Sequence, residues 1–182
     1  SRSLNPTMKI GRQIGETLHL HTDLSKSEIQ RKVLELMHDV QLQDPEKLIS
    51  RYPHELSGGQ QQRVVIAMAI ACKPKLLIAD EPTTALDVTV QQGVLKLLLQ
   101  LSKESDMAMV FVSHNLGVVQ AVSERIAVMH NGEIVELGPT VQILDSPSDA
   151  YTKELIGANP SIPDAQELSR LSGTRFPTSR GV

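Results

Sequence analysis

Ser57, Gly58, Gly59 and three glutamines stand directly ahead of Arg63 and an apolar run that reaches Cys72. Ser57 has the side chain of a helix N-cap, and the run behind it predicts a helix that begins at Gly58. The first amides of a helix have no intrahelical acceptor, and an Asp or Glu in the first turn usually meets their partial positive charge. Here the first turn is Gly-Gly-Gln-Gln, and the first charge is the cation Arg63. The pattern predicts an anion site at Ser57, Gly58, Gly59 and Gln60, with glycines that let an oxyanion approach the backbone without meeting a Cβ. The competing reading is a plain Ser-Gly cap on a buried helix.

A second signal lies in "LLIADEP", residues 76–82, where Asp80 and Glu81 close a short apolar run. Two adjacent carboxylates at the end of a buried strand repel each other and lose hydration, unless a cation or a proton offsets them. Such an end is where ligands bind in parallel α/β sheets. The chemistry that fits is Asp80 toward Mg²⁺ through water, and Glu81 as the base that orients and deprotonates an attacking water. Two surface acids in a strand-to-loop turn are the alternative. His114 closes the next apolar run, "MAMVFVSHN", and is expected at the same sheet edge, where it could contact a phosphate oxygen. His19, His21, His38, His54 and His130 have no such placement and no metal-ligand spacing, so packing or solvated roles are expected for them.

The elements that must hold these residues follow from periodicity. Residues 7–21 and 25–42 read as helices, the second opened by Ser25 and Glu28 at capping-box spacing. Its apolar stripe is Ile29, Val33, Leu36, Met37 and Val40. Pro45 and Pro53 bracket an irregular passage. Next come a strand ending at Asp80, a helix over 87–104 and a strand ending near Ser113, a crossover unit whose parallel sheet is expected to be buried on both faces. Asn131-Gly132 between "RIAVMH" and "EIVELG" predicts a hairpin. Two short helices near 139–145 and 149–157 follow, and after Asn159 the loss of apolar periodicity suggests a loosely held tail.

The totals exclude several classes. The 182 residues are 40% hydrophobic, enough for a core, and the net charge of −3 with 2% aromatics argues against a nucleic-acid-binding surface. Cys72, the single cysteine, has no disulfide partner in the chain; this suggests a reducing compartment, and the residue is expected to be buried in the core. No apolar run approaches the roughly 18 to 20 residues that span a bilayer.

Together, "LSGGQ" at 56–60, "LLIADEP" at 76–82, "ALD" at 85–87 and His114 after "VFVS" resemble the signature, Walker B, D-loop and H-loop of an ATP-binding-cassette ATPase. "SLNP" at 3–6, "YPHELSGGQQQR" and "GEIVELGPTVQILDSPSDAYTKEL" further resemble the ATPase subunits of oligopeptide, dipeptide and nickel importers. The resemblance implies an α/β fold: a partial P-loop NTPase, RecA-like core with a helical signature subdomain and a C-terminal β-hairpin. It divides the chain into a helical subdomain at 1–72, the C-terminal half of the core at 73–130, the hairpin and helices at 131–158 and a tail at 159–182. It implies that ATP and Mg²⁺ are bound, with Asp80 on the metal, Glu81 as catalytic base and His114 at the γ-phosphate. Ser57, Gly58, Gly59 and Gln60 would hold the ATP of a second ATPase subunit, and Asp87 would lie at that dimer interface. Residues 7–56 resemble the subdomain that receives the coupling helix of a transmembrane permease, which places the chain at the cytoplasmic face of the cell membrane.

No glycine in the chain is followed by lysine, so the phosphate loop G-x-x-x-x-G-K-[ST] is not among these residues. The start at "SRSLNP" suggests a fragment, expected to leave apolar surface and strand edges exposed. An inactive remnant remains the alternative to a working ATPase part. A chromosome or DNA-repair ATPase is a further alternative, which the short helical insert and mildly acidic charge disfavour.

Overall fold

The computed structural model describes residues 3–84 and 86–158, and these divide between residues 110 and 111 into two compact units. In the first, helix α1 (Ile10–His21) starts three residues later than its apolar pattern suggests. The buried Gln13 explains the delay. Its Nε2 donates to the carbonyls of Asn5 and Met8 and its Oε1 accepts from Asn5 N, which ties residues 5–8 into a turn. The α1 amides of Ile10 and Gly11 donate at 2.8 and 3.0 Å to the carbonyls of Arg51 and Ile49. A Cβ at position 11 would lie 2.2 Å from Ile49 Cγ1, so only glycine lets that segment close the helix end.

Helix α2 (Lys26–Asp39) carries the expected capping box: Glu28 N donates to Ser25 Oγ, and Ser25 N donates to Glu28 Oε2. Val33, Leu36, Met37 and Val40 are buried, and Ile29 is half-buried. Gln41 turns out of the helix in the left-handed region. Pro45 and Pro53 each open a helical turn, α3 (Pro45–Leu48) and a 3-10 turn (Pro53–Glu55), where a missing N–H costs nothing. Helix α4 (Gly58–Ile70) follows, and its buried Val64 and Ala67 complete the core with Ile10, Ile14, Leu18 and Met37. Cys72 is exposed rather than buried, because α4 ends before it and the chain turns at Lys73, φ 50°.

Strand β1 (Leu76–Asp80), helix α5 (Val88–Glu104) and strand β2 (Ala108–Val112) appear in the expected order, and β1 and β2 pair in a two-stranded sheet. The sheet is not buried on both faces. Leu77 and Ala79 are buried, whereas Leu76, Ile78, Val110 and Val112 are exposed, Ile78 by 67%. Among the described residues nothing covers that apolar face.

In the second unit, α6 (Leu116–Val122) precedes strands β3 (Arg125–His130) and β4 (Glu133–Pro139), an antiparallel hairpin with a bulge after Val128. Asn131 and Gly132 both have positive φ, as the tight hairpin turn requires. Helices α7 (Thr140–Asp145) and α8 (Ala150–Gly157) pack on it around Ile126, Val128 and Ile143. The expected tail at 159–182 lies outside the described residues.

Glu136 of β4 ties the hairpin to α8 by accepting from the amides of Ser148 and Asp149 at 2.8 and 3.2 Å. The Ser148 amide above all holds its carboxyl below the ordinary carboxylate range. A depressed folded value contributes stability that is complete above the unfolded value of about 4.3 and is lost as pH falls through the lower folded one. Glu136→Gln is therefore expected to flatten the acid-side decline of melting temperature below about pH 5. An unchanged slope in thermal melts across that range would count against the contact.

Candidate functional site

Ser57 stands in extended backbone at φ −65° and ψ 160° and caps α4. Its Oγ accepts from Gln60 N at 3.3 Å, and Gln60 Oε1 accepts from Ser57 N at 2.9 Å. This is a capping box built with an amide in place of a carboxylate, so the helix start is organised without being neutralised. Gln61 N begins the helical ladder on Ser57 O. The amides of Gly58 and Gly59 find no acceptor among the described residues, and Ser57 and Gly58 are exposed. Helix α2 opens with the same reciprocal box, closed there by the carboxylate of Glu28, whereas two carbonyls receive the first amides of α1 and Asp149 receives two amides of α8. With no acid in its first turn, α4 keeps an uncompensated partial positive charge at its N-terminus.

Arg63 does not add to that charge. Its NH1 donates at 2.6 Å to the carbonyl of Val40, the C-cap of α2, and burial lowers the guanidinium below its ordinary value. It serves the negative end of α2 instead, where a cation is favourable.

The glycines are also occupied differently from the expected open approach. A Cβ at Gly59 would lie 2.5 Å from Val90 Cγ1 of α5, and one at Gly58 would lie 3.4 Å from Leu86 Cδ2. Space for a side chain at position 59 is thus filled from within the chain.

Asp80 ends β1 and is exposed, and Glu81 is half-buried, so the expected burial of two carboxylates is absent. Glu81 has φ 47°, a left-handed conformation that is uncommon for a residue with a Cβ. Thr84 holds it there: Thr84 Oγ1 donates to Glu81 Oε2 at 2.6 Å and Thr84 N donates to Glu81 O at 3.2 Å. Backbone strain of this kind collects where a side chain must be aimed. The same turn leads to Asp87, whose Oδ1 accepts from Val90 N at 2.9 Å and caps α5. Sequence reasoning missed that cap, although an Asp just before "VTVQQG" signals one. Ala85, between them, lies outside the described residues.

No group of three His, Cys, Asp or Glu able to hold a metal occurs among the described residues. Mg²⁺ bound with a nucleotide needs no such cage, since one or two carboxylates, waters and phosphate oxygens complete its shell. The exposed Asp80 carboxylate fits that donor set. His114, in the second unit, is exposed two residues beyond β2. Next to it Asn115 caps α6, with its N–H on Ser113 Oγ and its Oδ1 accepting from Val118 N.

Residues 1–84, which hold both the α4 start and the Asp80-Glu81 turn, match the ABC transporter family. Over 174 residues the chain is 48% identical to the oligopeptide transport ATP-binding protein OppD of Bacillus subtilis, which covers 94% of this chain and 49% of that protein. By its first 84 residues and by this relative the chain is similar to the ATP-binding proteins of ABC transporters. It is also 52% identical over 158 residues to the peptidoglycan transport ATP-binding protein YejF of Agrobacterium fabrum, covering 87% of this chain and 29% of that protein. The chain spans about half or less of the length of these relatives. The fold is that of an ABC ATPase cassette. The ATP-binding cassette MJ0796, solved as a dimer in a post-hydrolysis state with ADP and Pi, superposes with a TM-score of 0.66 at 31% identity, covering 76% of this chain and 59% of that one.

The remaining histidines have local partners or end helices. His38 Nε2 lies 3.5 Å from Glu46 Oε1, the His54 ring stacks on Tyr52 at 5.7 Å, and the His130 ring meets Tyr151 at 3.9 Å. His19 and His21 lie in the last turn of α1. Sequence reasoning also missed α6, a helix of seven residues for which Asn115 was the available signal.

Proposed function

We propose that this chain supplies the signature and Walker B side of an ATP-hydrolysing subunit that energises import of peptides or chemically similar solutes. The observation that carries the proposal is the first turn of α4: capped by Ser57 and Gln60, free of acids, with the Gly58 and Gly59 amides open to an anion. In this reading Ser57, Gly58, Gly59 and Gln60 receive the γ-phosphate of ATP held by a second ATPase subunit. Asp87, whose side chain caps α5, stands at the edge facing that subunit.

Asp80 would hold the Mg²⁺ that accompanies the nucleotide, and the metal would supply neutralisation of phosphate charge. Glu81 positions the attacking water and accepts its proton, with its carboxylate and backbone steadied by Thr84. His114 donates to the γ-phosphate. The helical region 7–56 receives a permease, so the subunit works at the cytoplasmic face of the membrane. No helix among the described residues is long and apolar enough to cross a bilayer. Names such as oligopeptide and peptidoglycan transport among the relatives support a peptide-like cargo, which the permease and not this chain selects.

The signature turn holds only one side of a nucleotide, and these 182 residues contain no G-x-x-x-x-G-K-[ST] motif. The isolated 182-residue chain is therefore expected to show no Mg-ATP binding in the micromolar range by isothermal titration. Micromolar binding by that polypeptide would overturn the assignment of the α4 turn to a nucleotide carried by another molecule.

A further inference from the structure

We propose that Val90 is a positioning residue for the signature turn, and that its side chain, rather than the nucleotide, is what bars a Cβ at position 59. The inference rests on the nucleotide-binding role proposed for α4. Three observations carry it. A Cβ on Gly59 would lie 2.5 Å from Val90 Cγ1, a separation that real Cβ atoms do not tolerate. Val90 is in the first turn of α5, and a valine in a helix keeps one χ1 rotamer almost exclusively, so the methyl cannot swing aside cheaply. The position of Val90 is itself fixed, because its N–H donates to Asp87 Oδ1 at 2.9 Å.

The consequence is a short mechanical link inside one chain. The turn that begins at Glu81 ends at Asp87, Asp87 caps α5, and Val90 of α5 fills the space that a Cβ of Gly59 would take. Leu86 rests more loosely on Gly58, at 3.4 Å from a Cβ there, a distance that a leucine methyl can yield. The direction of the Gly58 and Gly59 amides is therefore set by the segment that follows the catalytic glutamate. Within one subunit, Glu81 acts on one nucleotide and the α4 amides on the other.

The test is a double-mutant cycle on ATP hydrolysis by the full-length protein, run where circular dichroism shows every variant folded. Gly59→Ala is expected to lower kcat by about 10²-fold, the loss that a displacement near 1 Å of a phosphate-binding group can bring. KM for ATP should change by less than about threefold, because the turn acts after nucleotide is already held. Val90→Ala alone should lower kcat only a few-fold. The combination Gly59→Ala with Val90→Ala should recover at least about tenfold over Gly59→Ala, since coupling of that size is what contacting residues show. A folded double variant no more active than Gly59→Ala would overturn the inference: position 59 would then be glycine for the nucleotide's sake, and the role of α4 would stand. Should Gly59→Ala fail to fold, Val90→Leu, which drives a longer side chain at an unchanged Gly59, carries the test. A fall in kcat with KM held supports the link, and unchanged kcat overturns it.

Discussion

Glu81→Gln is expected to cut ATP turnover by the full-length protein by about 10²- to 10⁴-fold, the range typical of a lost general base, while nucleotide binding stays within a few-fold of its original strength. The amide keeps the size of the carboxylate and can still accept from Thr84 Oγ1, so the turn at 81–84 should survive. What disappears is the ability to take a proton from water. Asp80→Asn is the informative comparison, because Asp80 is itself exposed and its charge lies one residue from the half-buried Glu81. If Asp80 serves the metal, its loss should show as a higher Mg²⁺ requirement, whereas the Glu81 variant should stay slow at any Mg²⁺ concentration. Steady-state phosphate release across a Mg²⁺ titration separates the two. Turnover unchanged in Glu81→Gln would remove Glu81 from catalysis.

The left-handed backbone at Glu81 makes the expectation sharper than a sequence string could. The acids at the end of "LLIADEP" promised trouble from burial, but Asp80 is exposed and Glu81 only half-buried, so desolvation is not what marks the pair. Backbone strain at φ 47° marks it instead, and no local propensity reveals that, because Glu has no preference for this region. Elements whose signals are local were legible. Ser25 with Glu28, Ser57 as the cap of α4 and Asn131-Gly132 each fix a backbone conformation locally, and all three appear as expected, while the reciprocal bond from Gln60 was not foreseen. Features that depend on a distant segment were not. The start of α1 waits on carbonyls from Ile49 and Arg51, Arg63 turns toward α2 instead of its own helix start, and Gly59 is shaped by Val90 some thirty residues on. The exposed face of β1 and β2 belongs to the same class. A continuous run of Leu, Ile and Val says that a strand can be buried twice, and the exposure of Ile78 and Val110 records only what the described residues bring to it.

Met37→Ala is expected to destabilise the helical unit by about 2–5 kcal/mol, as removal of a fully enclosed Met or Leu side chain does when the site cannot collapse. Met37 has no exposed surface, and buried residues of three helices flank the same core: Ile10, Ile14 and Leu18 of α1, Val33 of α2, Val64 and Ala67 of α4. Ile29→Ala on the same stripe is the control. It is half-buried beside Gly15, with its Cγ2 3.3 Å from where a Cβ would be, and its truncation should cost well under half as much. Because the chain holds two units, a single melting temperature does not isolate the effect. Amide hydrogen exchange does. Faster exchange confined to α1, α2 and α4 in Met37→Ala, with the β3–β4 hairpin unaffected, is the expected pattern. The functional consequence follows from α4 itself, whose far end lies in this core while its first turn presents the amides of Gly58 and Gly59. Loosening the core should therefore lower the turnover of the full-length protein even at temperatures where the variant remains folded, because the amides lose their fixed direction before the helix is lost. Protection spread evenly over both units, or turnover that tracks only the folded fraction, would show that the core supports the fold without aiming the site.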